Sequence, residues 1–123
     1  ADWLLPRQRA DGAWPLTLNR DGNIVSDTVG PGDLPNIAAV LHDLADVTGE
    51  VRYRRAAMLA FRYGLGHQAT PGSKHPYLDD PRVLWGFWSW DPYYDYTLSA
   101  DQSTHHVRGL MFLLDMPPHP PAL

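Results

Sequence analysis

An apolar side chain recurs every third or fourth position from Leu34 to Val47 and again from Tyr53 to Leu65, with only a short break at Gly49 and Glu50. That period is the stripe of a surface helix, and it predicts a first helix from Asp33 or Leu34 to Thr48. Leu34, Ile37, Leu41, Leu44 and Val47 share one face, with Val40 beside it. Asp33 suits the N-cap, Pro35 is tolerated in the first turn, and Gly49 is a natural stop. A second helix is predicted over 51–68, with Tyr53, Ala56, Ala57, Ala60, Phe61 and Leu65 inward and Arg52, Arg54, Arg55 and Arg62 outward. Helices joined by so short a link fold back on one another as an antiparallel pair.

A third helix is predicted from near Ser99 to about Asp115. Ser99-Ala100-Asp101-Gln102 fits a capping box, Val107, Leu110, Met111 and Leu114 form its apolar face, and Asp101, His105 and Arg108 lie on its polar face. Between the helices run two long segments, 10–32 and 69–98, dense in Gly, Pro, Asp and aromatics. Loops beyond about 15 residues are uncommon in compact domains unless they carry function. Within them Asp21-Gly22-Asn23 and Asp79-Asp80-Pro81 read as turns.

The order of elements repeats faintly. A helix end closing in Gln8 precedes a long loop and the Asp33 helix; a helix end closing in Gln68 precedes another long loop and the Asp101 helix. Hairpin repeats need several neighbours to bury a continuous core, and about two units are present in 123 residues. The expected organisation is a domain over 1–116 followed by a Pro-rich tail or linker over 117–123.

Charge and composition exclude several function classes. The net charge of -4, with no run of Lys or Arg longer than Arg54-Arg55, gives no footprint for nucleic acid or an anionic membrane. The longest apolar run, 107–116, is broken by Arg108 and Asp115 and falls short of the roughly 20 residues that span a bilayer. A soluble chain is expected. There are no cysteines, so disulfides and thiolate metal sites drop out while the compartment stays open. The chain opens at Ala1-Asp2-Trp3 without a targeting segment, and its localisation stays undetermined. No Gly-rich phosphate loop or Gly-x-Ser-x-Gly elbow occurs.

The stretch 85–96, Trp-Gly-Phe-Trp-Ser-Trp-Asp-Pro-Tyr-Tyr-Asp-Tyr, holds seven of the chain's fourteen aromatics in twelve positions. Flat aromatic faces suit the C–H faces of sugar rings, and Asp91 and Asp95 supply acceptors for hydroxyls. The same rings would also serve to fill a core. Cleavage of a glycosidic bond needs an acid and a base or nucleophile, and Asp95 between Tyr94 and Tyr96 is the favoured carboxylate. Asp101 and His105, one turn apart, form a second acidic or proton-transferring pair, although Asp in a first turn also answers the helix dipole. His105 and His106 point to different helix faces and Asp101 adds only a second ligand, so no metal and no cofactor is expected.

Two motifs carry a family resemblance. Gln8-Arg-Ala-Asp-Gly12-Ala-Trp14-Pro15, and Thr48-Gly49-Glu50-Val-Arg-Tyr53-Arg-Arg-Ala56-Ala57 after the Asp33 helix, resemble the loop and hairpin turn of six-hairpin glycosidase-like proteins. The resemblance covers about residues 1–70 closely and 85–115 only in style. It implies an all-α fold, helical hairpins of an alpha/alpha toroid with long functional loops, incomplete at this length. It also implies a role in glycoside hydrolysis, uronyl hydrolysis or polysaccharide lysis, with the 11–14 and 85–101 loops near the cleft. Gln8, Gly12 and Trp14 also look like one copy of the Gln-Trp repeat of squalene and hopene cyclases, but the Asp-x-Asp-Asp motif of those cyclases does not occur.

The expectation is therefore a segment of a carbohydrate-active enzyme, glycoside hydrolase or polysaccharide lyase. Asp95, Asp101 and His105 are the catalytic candidates, and Trp14, Trp85, Trp88, Trp90, Tyr94, Tyr96 and Arg108 the candidates for binding substrate. The expected partners are an oligo- or polysaccharide and either the remainder of a larger chain or further copies in a homo-oligomer. An isoprenoid-cyclase-like segment and a non-catalytic helical-hairpin binding module are the alternatives.

Overall fold

The computed structural model describes residues 1–74, 76–91, 98 and 100–114, the side chains at 101, 110 and 112–114 excepted. Among them the chain is α+β. A 3-10 turn at Leu5–Arg7 precedes strands β1 (Thr17–Leu18) and β2 (Ile24–Ser26), followed by helices α1 (Asp33–Thr48), α2 (Val51–Leu65) and α3 (Ala100–Leu114). The expected all-α toroid segment is thus corrected to a small α+β protein with a two-stranded antiparallel sheet.

The correction arises in the first long loop. Thr17 pairs with Ser26 and Leu18 with Ile24, with a bulge between the two pairs. The turn is closed by the Gly22 N–H on the Asn19 carbonyl at 2.9 Å and the Asn23 N–H on the Asn19 side chain at 2.9 Å. β-Branched Thr17, Ile24 and Val25 on either side of Asp21-Gly22 favour such a ribbon. The second long segment is also tied down, by isolated bridges at Val29–Asp91, Gln68–Phe87 and Trp88–Leu98.

The helix pair forms where the periodicity places it. α1 ends at Gly49, whose φ of 73° is left-handed and whose N–H returns to the Ala45 carbonyl at 2.8 Å. That geometry costs glycine nothing and lets α2 start within two residues. The N-cap of α1 is Gly32 rather than Asp33, and the Gly32 N–H is taken by Gln102 Oε1 of α3 at 2.5 Å. α2 ends at Leu65, three residues short of the expected boundary, in a turn that runs to His67.

The buried stripes differ from the expected ones. α1 buries Leu34, Pro35, Ala38, Leu41 and Ala45, while Val40 and Val47 are exposed. α2 buries Tyr53, Ala56, Ala57, Ala60, Phe61 and Gly64, with Leu65 exposed. Alanines on both partners bring the helix axes close, so the larger apolar residues flank the contact rather than fill it. One core joins these helices to Ala13, Trp14 and Val29 of the first loop. α3 turns Gln102, His106 and Gly109 inward and leaves Val107 and Met111 exposed. Gly109 lies so close to Pro35 that a methyl group there would overlap its ring. Expectations that fall on Ser99 as a cap, on Leu110 and Leu114 as apolar face, on Asp115 and on the tail 117–123 lie outside what is described. Among the described residues no helix is long and apolar enough to cross a membrane.

Candidate functional site

The aromatic segment is a strip stretched between the end of α2 and the first loop. Its α2 end is fixed by three backbone bonds: Ala69 N–H to the Gly86 carbonyl at 2.8 Å, Trp85 N–H to the Ala69 carbonyl at 2.7 Å and Trp88 N–H to the His67 carbonyl at 3.0 Å. Its far end is fixed by a reciprocal pair between Asp91 and Val29, at 2.7 and 3.0 Å. The two glutamines that close the faint repeat both clamp the loop that follows. Gln8 donates to the carbonyls of Gly12 and Ala56, each at 2.9 Å, and Gln68 donates to that of Trp85 at 3.0 Å.

The strip sorts its rings. Phe87 and Trp88 are buried, whereas Trp85 is 60% and Trp90 36% exposed. Trp85 has a φ of 73°, the only positive φ among the described non-glycine residues. A bulky side chain in the left-handed region is an outlier costing of order 1–3 kcal/mol, and such strain concentrates at functional sites. Here it is held by the Ala69 and Gln68 bonds and displays the indole to solvent.

Beside the strip lies a polar cluster. Asp91 Oδ2 accepts a short bond from the Tyr63 hydroxyl and lies 3.4 Å from His67 Nε2. His67 Nδ1 lies 2.8 Å from the Tyr63 carbonyl one turn back, an acceptor that fixes the proton on that nitrogen. The imidazole stacks on Tyr63 with centroids 4.4 Å apart and meets Trp88 edge-on at 5.8 Å. Burial, then the bond to Asp91, pushes the Tyr63 phenol well above its ordinary range, so it acts as a fixed donor that keeps its proton. Arg9 and Asp11 also act electrostatically on Tyr63, and Arg9 pairs with Asp11 at 2.7 Å and Asp27 at 3.4 Å.

On the other side of Asp91 the backbone at Gly30 is covered by two side chains. A Cβ on Gly30 would stand 2.7 Å from Asp33 Oδ2 and 3.7 Å from Trp90 Cζ3, so glycine leaves room for both. Next to them a depression of about 120 Å³ is walled by Trp14, Pro15, Leu16, Gly30, Asp33 and Ile37. Two larger hollows, about 400 Å³ at the α1–α2 turn and about 410 Å³ between the first residues and α1, contain none of the residues of the polar cluster or the strip.

His106 is the remaining buried titratable side chain of note, 2% exposed and stacked on Phe87 at 3.8 Å. Burial, reinforced by His67 and His105, pushes its pKa down to about 4. It is a neutral packing residue near pH 7.

Of the residues singled out from the sequence, the structure brings Trp85, Trp88 and Trp90 together on one strip, two outward and one inward. Trp14 is a core residue, 4% exposed, whose indole N–H donates to the Leu4 carbonyl at 2.9 Å while its ring walls the small depression. His105 is half-buried on α3; Arg108 is exposed and lines a separate hollow with Asn36, Val40 and Asp43. Asp95, Tyr94 and Tyr96, and the side chain of Asp101, lie outside the described residues. Sequence reasoning missed Tyr63, His67 and Arg9. Tyr63 and His67 at i and i+4 were a visible local pair, but nothing local placed Asp91 against them. Among the described residues no group of three or more His, Asp or Glu is placed to hold a metal ion. No family model, curated protein or solved structure matches the chain.

Proposed function

We propose that the chain is the carbohydrate-binding segment of a glycan-cleaving enzyme, with Trp85 and Trp90 as sugar platforms and the carboxylate of Asp91 beside them. The observation that carries the reading is Trp85: a bulky ring held in a strained backbone conformation with 60% of its surface in solvent. Ordinary core packing supplies no reason to maintain that cost, whereas a binding platform does. Asp91 supports it further, since its backbone is pinned to Val29 and its carboxylate is oriented by Tyr63, the preorganisation that a hydroxyl acceptor or an acid/base group needs. Asp95, four residues on, is the second carboxylate of the pair that hydrolysis requires.

The test is cleavage of a panel of neutral and uronate glycans by the full-length protein that carries this segment, followed as new reducing ends and as the absorbance of unsaturated products. Cleavage that falls at least tenfold in Asp95→Asn supports the enzyme reading. Glycan binding without cleavage leaves a non-catalytic module, and no binding removes the carbohydrate reading altogether.

A further inference from the structure

Resting on the carbohydrate reading, we infer that the subsite at Gly30 takes a neutral sugar ring and turns away glycans carrying uronic acids. Three observations converge on this point of the surface. Trp90 closes over Gly30 with part of its indole in solvent, which gives a C–H face something to stack on. Asp33 closes over the same glycine from the first turn of α1 and is exposed, so its carboxylate accepts hydroxyl protons at the rim. The depression beside them, about 120 Å³, is far below the roughly 300–1,000 Å³ of sites that enclose a drug-sized ligand. It holds one edge of a ring, and the remainder lies across Gly30 against Trp90.

The charges around this subsite decide its preference. Asp33 and Trp90 meet over Gly30, Asp91 follows Trp90 in the chain, and Arg9 pairs with Asp11 and Asp27. The Arg9 guanidinium is thus already shared between two carboxylates. His67 of α2 lies with Nε2 3.4 Å from Asp91 Oδ2. A ligand carboxylate entering here meets the like charge of Asp33, whereas hydroxyls find an acceptor in it. The preference also selects a reaction class. A neutral ring lacks the carboxyl group that acidifies the adjacent C–H, so elimination is closed to it, which favours the hydrolase over the lyase reading.

The experiment titrates the protein with neutral hexasaccharides (glucohexaose, mannohexaose) and with hexauronates (hexagalacturonate, hexamannuronate), reading tryptophan emission at 20 mM and 500 mM NaCl. The expected result is that a neutral hexasaccharide binds at least about tenfold tighter than the uronates at low salt, with the gap narrowing at high salt as the repulsion is screened. Asp33→Asn narrows the gap at low salt without altering the helix content. Equal or tighter uronate binding, or a gap insensitive to both salt and Asp33→Asn, overturns the inference and leaves the carbohydrate reading intact. Absence of binding to every probe overturns both.

Discussion

The strain at Trp85 makes a prediction with an unusual sign. Replacing Trp85 by alanine or by glycine removes the same indole and its contacts, so the difference between the two variants isolates the backbone term. At most positions glycine is the poorer choice, because it gives up about 0.5–1 kcal/mol more conformational freedom on folding than alanine. At a φ of 73° the order reverses, since the left-handed conformation costs a residue with a Cβ roughly 1–2 kcal/mol and glycine nothing. The balance leaves Trp85→Gly about 0.5–1 kcal/mol more stable than Trp85→Ala. Equilibrium urea unfolding followed by circular dichroism resolves such a gap as a shift in midpoint at constant slope, with a corresponding rise of a few degrees in Tm. If the alanine variant is as stable as the glycine variant or more so, Trp85 is not strained and the argument from strain to function fails.

Three further outcomes follow from the geometry. His106 has its folded pKa lowered to about 4 against 6.5 in the unfolded chain, so its contribution is fully present above pH 6.5 and is lost as the pH falls toward 4. The loss amounts to about 3 kcal/mol, and a flatter stability profile between pH 6.5 and 4 in His106→Asn checks it. Gly109→Ala drives a methyl group into Pro35, so it should cost about 1–3 kcal/mol in thermal unfolding; an unchanged Tm contradicts the close α1–α3 approach. Tyr63→Phe removes the donor to Asp91 from a partly buried site and should cost about 1–2 kcal/mol, while Asp91→Asn, which keeps an acceptor for the phenol, should cost less.

The sequence was most legible where contacts are local. The span of α1, the start of α2, the Gly49 stop and the inward face of α2 from Tyr53 to Phe61 follow from the period and the glycine, and the structure places them there, although α2 ends at Leu65 rather than Gln68 and Gly32 rather than Asp33 caps α1. The inward face of α1 was less legible, because burial there is decided by how closely two helices approach. Ala38 and Ala45 win over Ile37 and Val47 for that reason. α3 was the least legible. Gln102 and His106 turn inward only because their partners, the Gly32 N–H and the Phe87 ring, arrive from loops distant in sequence. The β1–β2 hairpin had a signal in Thr17, Ile24 and Val25 around Asp21-Gly22, but its strands of two and three residues are too short for alternation to stand out. The polar cluster joins Tyr63 and His67 to Asp91 across more than twenty residues, a separation that no motif spans.

The central claim, that the outward tryptophans of the strip bind sugar, is tested most directly by isothermal titration of a neutral oligosaccharide into the wild-type protein, Trp85→Ala, Trp90→Ala and the double variant. Aromatic anchors of a binding surface are worth about 2 kcal/mol or more, so each single variant should weaken binding roughly thirtyfold while far-ultraviolet circular dichroism is retained. Folded variants that bind as tightly as the wild type, or a wild type that binds no glycan, would contradict the account.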